Sequence, residues 1–480
     1  MQDKWQASRK LTLSYGLRWD YYAVPTGGTQ RYNSVDNTIS LCGEGSVPSG
    51  CGTHFSKRLF APRLGIAYRP SEGLVIRAGY GISWDPFFIS QQMLEVYPNQ
   101  VAYSVSGVNS YQPVGPLSAG IPALSLPSLG NGVISIPGTS SLNSLGDNYV
   151  RSYVQSWNVM LQKQLKWGFV AQAGYAGTRQ VHQQYELNIN AGQILGAGQA
   201  GQPLNQLFGR TATTNFFTPL GHGHYDSLQS TLERRFAGGY QIQANYTWSK
   251  AMNLCCADKE DAGPQIAIPA YMNLNRAVLP YDRTQVFTFS GIAELPFGRG
   301  KKLLSHGGPA SAIASGWQVN GLLSSYTGLP FSVSGSSTSL NAPGNTQRAD
   351  QIKPNVAILG GVGPGQSYFD PLAFASVTQV RFGTAGFDSL RGPGQINLDF
   401  ALFRSFRVSE RVRVQFRAQA FNFTNTPHFA NPGANAANLV LNANGTVNNL
   451  GGFTVITATT GNGREGIDQR VFQLALRLSF

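Results

Sequence analysis

His222 and His224 stand two residues apart. On a strand that spacing puts both imidazoles on one face, where they could hold a metal ion. No Cys or carboxylate-rich partner nearby completes a ligand set, so they read as loop histidines and no metal is expected. Cys42 and Cys51 lie in one Gly/Ser-rich loop and could bridge it in an oxidising compartment. Together with Cys255 and Cys256 they show no zinc-finger spacing. Asp258-Lys259-Glu260-Asp261 could attract a cation, although a solvated charge cluster is the commoner reading. Gly360-Gly361-Val362-Gly363-Pro364-Gly365 resembles a phosphate-cradling loop only in its glycines. It lacks the preceding buried strand and following helix that make such a loop work, and reads as a turn. No GxSxG, HExxH or Walker pattern is present, so no catalytic residue, cofactor or enzyme activity is expected.

The remaining polar groups are placed by the elements around them. In Leu11-Thr12-Leu13-Ser14-Tyr15-Gly16-Leu17-Arg18-Trp19-Asp20-Tyr21 every odd position is apolar or aromatic and every even one polar or small. Side chains alternate faces along a strand, so such a segment has one greasy face and one polar face. The pattern returns around 63–69, 74–84, 156–165, 169–175, 228–232, 240–249, 287–289, 317–323, 398–402, 412–418 and 472–480. That predicts about twelve strands, most of them near the nine to eleven residues a tilted strand needs to span a bilayer. Arg18, Arg77, Gln243, Asn245, Arg413 and Arg417 fall on the polar face, where they would line a lumen and contact a ligand.

Connections between the strands alternate long and short. Long ones cover 23–59, 86–151, 178–224, 251–284, 333–396 and 424–468, and short ones lie near 70–73, 166–168, 237–239 and 407–411. The segment 297–316 is intermediate. Antiparallel strands send alternate connections to opposite ends, as in outer-membrane barrels with long extracellular loops and short periplasmic turns. Trp19, Tyr21, Phe60, Trp84, Tyr153 and Trp248 gather at the long-loop end, and Tyr68, Phe169, Tyr240, Trp317 and Phe480 at the other. Two aromatic girdles suit two membrane interfaces. A soluble β-sandwich would bury a Val, Leu and Ile core and use shorter strands.

Composition agrees. Only 12% of residues are charged, about half the usual share. The net charge of +13 comes from singly scattered basic residues rather than runs, which argues for lumen arginines and anionic lipid headgroups and against nucleic acid. No apolar run is long enough for a transmembrane helix. The start, Met1-Gln2-Asp3-Lys4-Trp5, has no signal-peptide h-region, which leads to the expectation of a longer parent protein.

Several stretches resemble the TonB-dependent receptor family, in particular its Oar-like branch. They are Gln2-Asp3-Lys4-Trp5 with Arg9 to Asp20, Phe60-Ala61-Pro62-Arg63-Leu64-Gly65, Ile76-Arg77-Ala78-Gly79-Tyr80-Gly81, Tyr246-Thr247-Trp248-Ser249-Lys250, Leu295-Pro296-Phe297-Gly298, and Ala420-Phe421-Asn422-Phe423-Thr424-Asn425. The resemblance implies an all-β, antiparallel transmembrane barrel of about 22 strands with a plug inside it. It also implies energised ligand uptake through the TonB system. On that comparison residues 1–480 are expected to be the C-terminal part of one barrel domain, without plug or N-terminal domains. Gln2-Asp3-Lys4-Trp5 reads as the tail of an earlier strand. The final Phe472, Leu474, Leu476, Leu478 and Phe480 resemble the signal read by the barrel-assembly machinery. Outer-membrane lipid and an extracellular ligand complete the expected partners. A passive or adhesive surface barrel is the alternative function.

Overall fold

The computed structural model describes the chain except residues 23–28, 54–55, 87–96, 99–114, 117, 119, 121–127, 147–148, 255–262, 299–300, 307 and 461–467. Thirteen strands follow one another in a single antiparallel path. They are β1 (Gln2–Gln6), β2 (Leu11–Asp20), β3 (Leu59–Ser71), β4 (Leu74–Trp84), β5 (Tyr153–Gln164), β6 (Phe169–Val181) and β7 (His224–Ala237). They continue as β8 (Tyr240–Leu254), β9 (Gln285–Glu294), β10 (Trp317–Tyr326), β11 (Gln395–Arg407), β12 (Arg413–Phe421) and β13 (Val471–Ser479). Arg276–Val278 adds a short fourteenth strand beside β8. The expected tail at Gln2–Trp5 is β1, in register with β2 through Trp5 and Leu13. The weak segment expected around Leu228 and Leu232 is the long β7, because Gln229, Thr231 and Glu233 keep the period on its polar face.

Register confirms the two faces. Val159 on β5 faces Ala78 and Tyr175 across its neighbours, while the adjacent Asn158 faces Gly79 and Ala176. The apolar face stays uncovered: Val159 is 53% exposed, Leu64 57% and Leu476 74%. Turns at one end are tight. Gly238 and Gly239 reverse the chain between β7 and β8 with φ of 61° and 89°, a region that side chains resist. The intermediate connection between β9 and β10 holds a short helix, Pro309–Ala314. Arg404, on the apolar face of β11, donates through Nη1 to Ile313 O at 2.6 Å and also to Ala312 O. A guanidinium there joins Trp317 and Ser315 in donating to the carbonyls of the helix end and offsets their partial negative charge.

At the other end the long connections build a folded crown, and the packed apolar cores among the described residues lie there. Phe331, Phe369, Phe374 and Phe453 pack together from the β10–β11 and β12–β13 connections. Ile266, Ile268, Leu340 and Phe387 join the β8–β9 connection to the β10–β11 one. Tyr32, Ile39, Ile134, Leu142 and Leu204 link three earlier connections. Cys42 and Cys51 are joined by a disulfide and pack against Leu145, Tyr149 and Phe217. Cys255, Cys256 and Asp258-Lys259-Glu260-Asp261 lie outside the described residues.

Candidate functional site

The polar face carries hydrogen-bonded ladders that cross strands. Asn245 on β8 accepts from Thr231 Oγ1 on β7 at 3.1 Å and donates to Thr288 Oγ1 on β9 at 3.2 Å. Gln243 donates to the same Asn245 Oδ1 at 3.4 Å. Arg77 on β4 donates to Gln162 Oε1 on β5 at 2.5 Å. Arg417 on β12 donates to Gln415 Oε1 at 2.7 Å, and its guanidinium lies 5.7 Å from the Phe403 ring. Arg413 sits opposite Arg407 and Ser479. Arg18, at the crown end of β2, pairs with Asp20 at 2.9 Å. The six residues share a face but do not converge. Three strands lie between β4 and β8, and three more between β8 and β12, so each pair is four interstrand spacings apart, about 19 Å along the sheet. They line a wall rather than form one cluster.

The histidine pair divides. His224 Nδ1 lies 2.9 Å from Arg276 Nη2, while His222 stands edge-to-face with His182 at 5.8 Å. Burial and then the second imidazole hold His182 below its usual range. Among the described residues no three of His, Cys, Asp and Glu gather as a metal set. Gly360, Gly363 and Gly365 all have positive φ, and the segment is a turn between the bridged residues Ile358 and Phe369. A depression of about 370 Å³, lined by Leu161, Ala173, Leu232, Ala244, Tyr246 and Phe287, opens on the apolar face.

The crown holds groups that the sequence pattern does not reveal. Asp282 is buried and receives Arg391 Nη2 at 2.5 Å and the amide of Ala251 at 2.8 Å. Arg381 grips Asp350 with two bonds of 2.8 and 2.7 Å. The Arg381 hydrogen bond holds the Asp350 carboxyl below its ordinary range. Burial pushes Asp388 up, against the hydrogen bond from Ser332 that pulls it down. Burial also pushes the Tyr149 phenol up to about 12. Arg210, wholly buried, donates to Thr214 Oγ1, Pro137 O and Ser140 O at 2.7, 3.0 and 2.5 Å. Apart from Arg210 and Thr214, these partners come from residues far apart in the chain, so no local spacing signals them.

A two-faced antiparallel sheet with tight turns at one end, a crown at the other and its greasy face uncovered needs lipid around it. The family pattern described as outer membrane beta barrel domain matches residues 1–473. The chain belongs to that family. This outer-membrane barrel chain therefore resides in the bacterial outer membrane. Its uncovered face meets lipid, the depression between β5 and β9 opens to acyl chains, and its polar face lines the lumen. Solved structures similar to it include the outer membrane transporter YddB from Escherichia coli, at 9% identity and TM-score 0.47, covering 98% of this chain and 45% of that one. The ferric-catecholate import receptor Fiu from E. coli K12 matches at 12% identity and TM-score 0.41, covering 100% and 43%. The ferripyoverdine receptor of Pseudomonas aeruginosa matches at 9% identity and TM-score 0.44, covering 100% and 37%. The barrel chain thus spans less than half the length of these structures. No curated protein matches its sequence.

Proposed function

We propose that this chain is part of a TonB-dependent receptor barrel of the Oar-like branch, which takes up a ligand across the outer membrane with energy supplied through TonB. The observation that carries the reading is the pairing of a polar, arginine-bearing lumen wall with a crown of packed loops above it. A pore that only leaks solutes has no need of a folded crown, whereas a receptor uses one to hold a ligand above the lumen. Arg18, Arg77, Gln243, Asn245, Arg413 and Arg417 contact the ligand on its way through. The motif stretches resembling the family, from Gln2 to Asn425, support the same reading.

In this reading residues 1–480 are the C-terminal part of a single barrel domain. The edges β1 and β13 pair with one strand each, and β13 presents Phe472, Leu474, Leu476 and Leu478 on one uncovered face, followed by Phe480. That row is the segment the barrel-assembly machinery reads. No step of the proposed role is enzymatic.

The test is ligand accumulation by cells producing the full-length protein, with and without TonB. Accumulation that requires both the protein and TonB is expected. Equal accumulation in cells lacking TonB would replace this reading with the passive barrel, and surface binding without any entry would replace it with the adhesive one.

A further inference from the structure

We propose that Arg348, inside the crown, is the binding point for one oxyanion, a carboxylate or phosphate group carried by the ligand. The proposal rests on reading the crown as the ligand face. Arg348 is 7% exposed, and among the described residues its guanidinium donates no hydrogen bond. Its Nε is sealed from solvent without a partner, and its one ring contact is Phe387, 5.5 Å from the guanidinium carbon. Arginine remains charged even where burial pushes its pKa down, as burial does here. A buried charge without a counter-charge is costly, so proteins pair or solvate such groups.

The crown follows that rule elsewhere. Arg391 has Asp282, Arg381 has Asp350, Arg210 has three oxygens, Arg283 donates to Thr327 O at 2.6 Å and Arg151 to Asp85 O at 2.8 Å. The carboxylates nearest Arg348 in sequence or across Phe387 are engaged by other groups. Asp350 is held by Arg381, and Asp388 accepts from Ser332 Oγ at 2.8 Å.

The site is also fixed in advance. Gln347 accepts from the backbone N–H of Arg348 at 3.0 Å and of Gly383 at 3.1 Å, and donates to Arg381 O at 2.8 Å. Ser334 bridges to Arg348 from the other side. A rigid backbone, an aromatic wall and a guanidinium fork with free donors match a planar carboxylate or one edge of a phosphate. With only 7% of Arg348 exposed, a single anionic group is favoured over a bulky polyanion.

Hydrogen exchange of segments 345–350 and 381–388 tests this in the full-length protein in detergent. Inorganic phosphate and acetate are titrated separately against sodium chloride at matched ionic strength. One or both should slow exchange saturably, and which one does so tells phosphate from carboxylate. R348M should abolish the response, and R348K should weaken it about tenfold by losing the fork. Without oxyanion, R348M should exchange no faster than wild type, because no hydrogen bond among the described residues is lost and methionine can keep the contact with Phe387. The proposal is overturned if neither anion protects wild type, if R348M responds like wild type, or if R348M loosens the segments in anion-free buffer. The last result would make Arg348 a structural residue. Should R348M not assemble, R348K decides, and an unweakened response there counts against the site. The measurement needs no transport, so it can fail while TonB-dependent uptake stands, and the reverse.

Discussion

The wall and the crown bury apolar surface in opposite directions. Along the wall the greasy side chains point outward, as Val159 and Leu476 do, and the polar ones point in. In the crown Phe369 and Phe453 are wholly buried, while Lys353 lies outside and buried charged groups such as Arg210 and Asp282 are held by hydrogen bonds. One chain thus folds for two media. The hydrophobic effect holds the crown together because water surrounds it. In the wall, lipid is as apolar as leucine, so closure of the backbone hydrogen bonds is what holds the strands. The same substitution should therefore have different consequences in the two regions.

The largest effect is expected in the crown. F369A empties the centre of a four-phenylalanine cluster and should cost about 3–5 kcal/mol of local crown stability. Hydrogen exchange should rise in 331–374 and 434–455 while β5 to β10 stay protected. Equal loosening of the strands would show that wall and crown fold as one unit.

The next effect separates two neighbours on β5. V159R puts a charge against lipid near the middle of the strand and should cost about 2–4 kcal/mol. N158R, one residue away on the lumen face, should assemble normally. Heat-modifiable mobility in gel electrophoresis and outer-membrane abundance report both, and equal loss in the two variants would break the two-faced reading.

The smallest effect is a pH dependence. Arg381 lowers the folded-state pKa of Asp350, so the pair stabilises the crown above the usual aspartate range near 3.9. That contribution is lost as pH falls through the lowered value. Protection of 350–384 should drop on acidification below about pH 4, and D350N should be looser at neutral pH with a flatter acid response. Because the pair is partly exposed, the difference should be small.

The wall was legible in sequence because each face of a strand meets one medium over its whole length. Alternation from Leu11 to Tyr21 or from Tyr240 to Ser249 therefore survives without interruption. Even Gln2-Asp3-Lys4-Trp5 could be read as a strand. The face of Arg77, Asn245 and Arg417 was legible for the same reason. Their spread around the sheet was not, because alternation fixes the direction of a side chain and not its neighbours several strands away. The crown cores were hidden for a different reason. Phe331, Phe369 and Phe453 are separated by long irregular segments with no period, and they meet only because β10, β11, β12 and β13 bring their connections together. Arg348 looks like any other single arginine in the sequence, since lacking a partner is a property of three dimensions.

The knitting of the crown constrains how its outer surface can change over generations. Phages, toxins and antibodies all select for altered exteriors in surface proteins. Here a substitution at Phe369 has to be answered at Phe453, and one at Leu340 has to be answered at Ile266. Escape is left to solvent-facing positions such as Asn444 and Thr446, which can drift while the loops beneath them evolve in step.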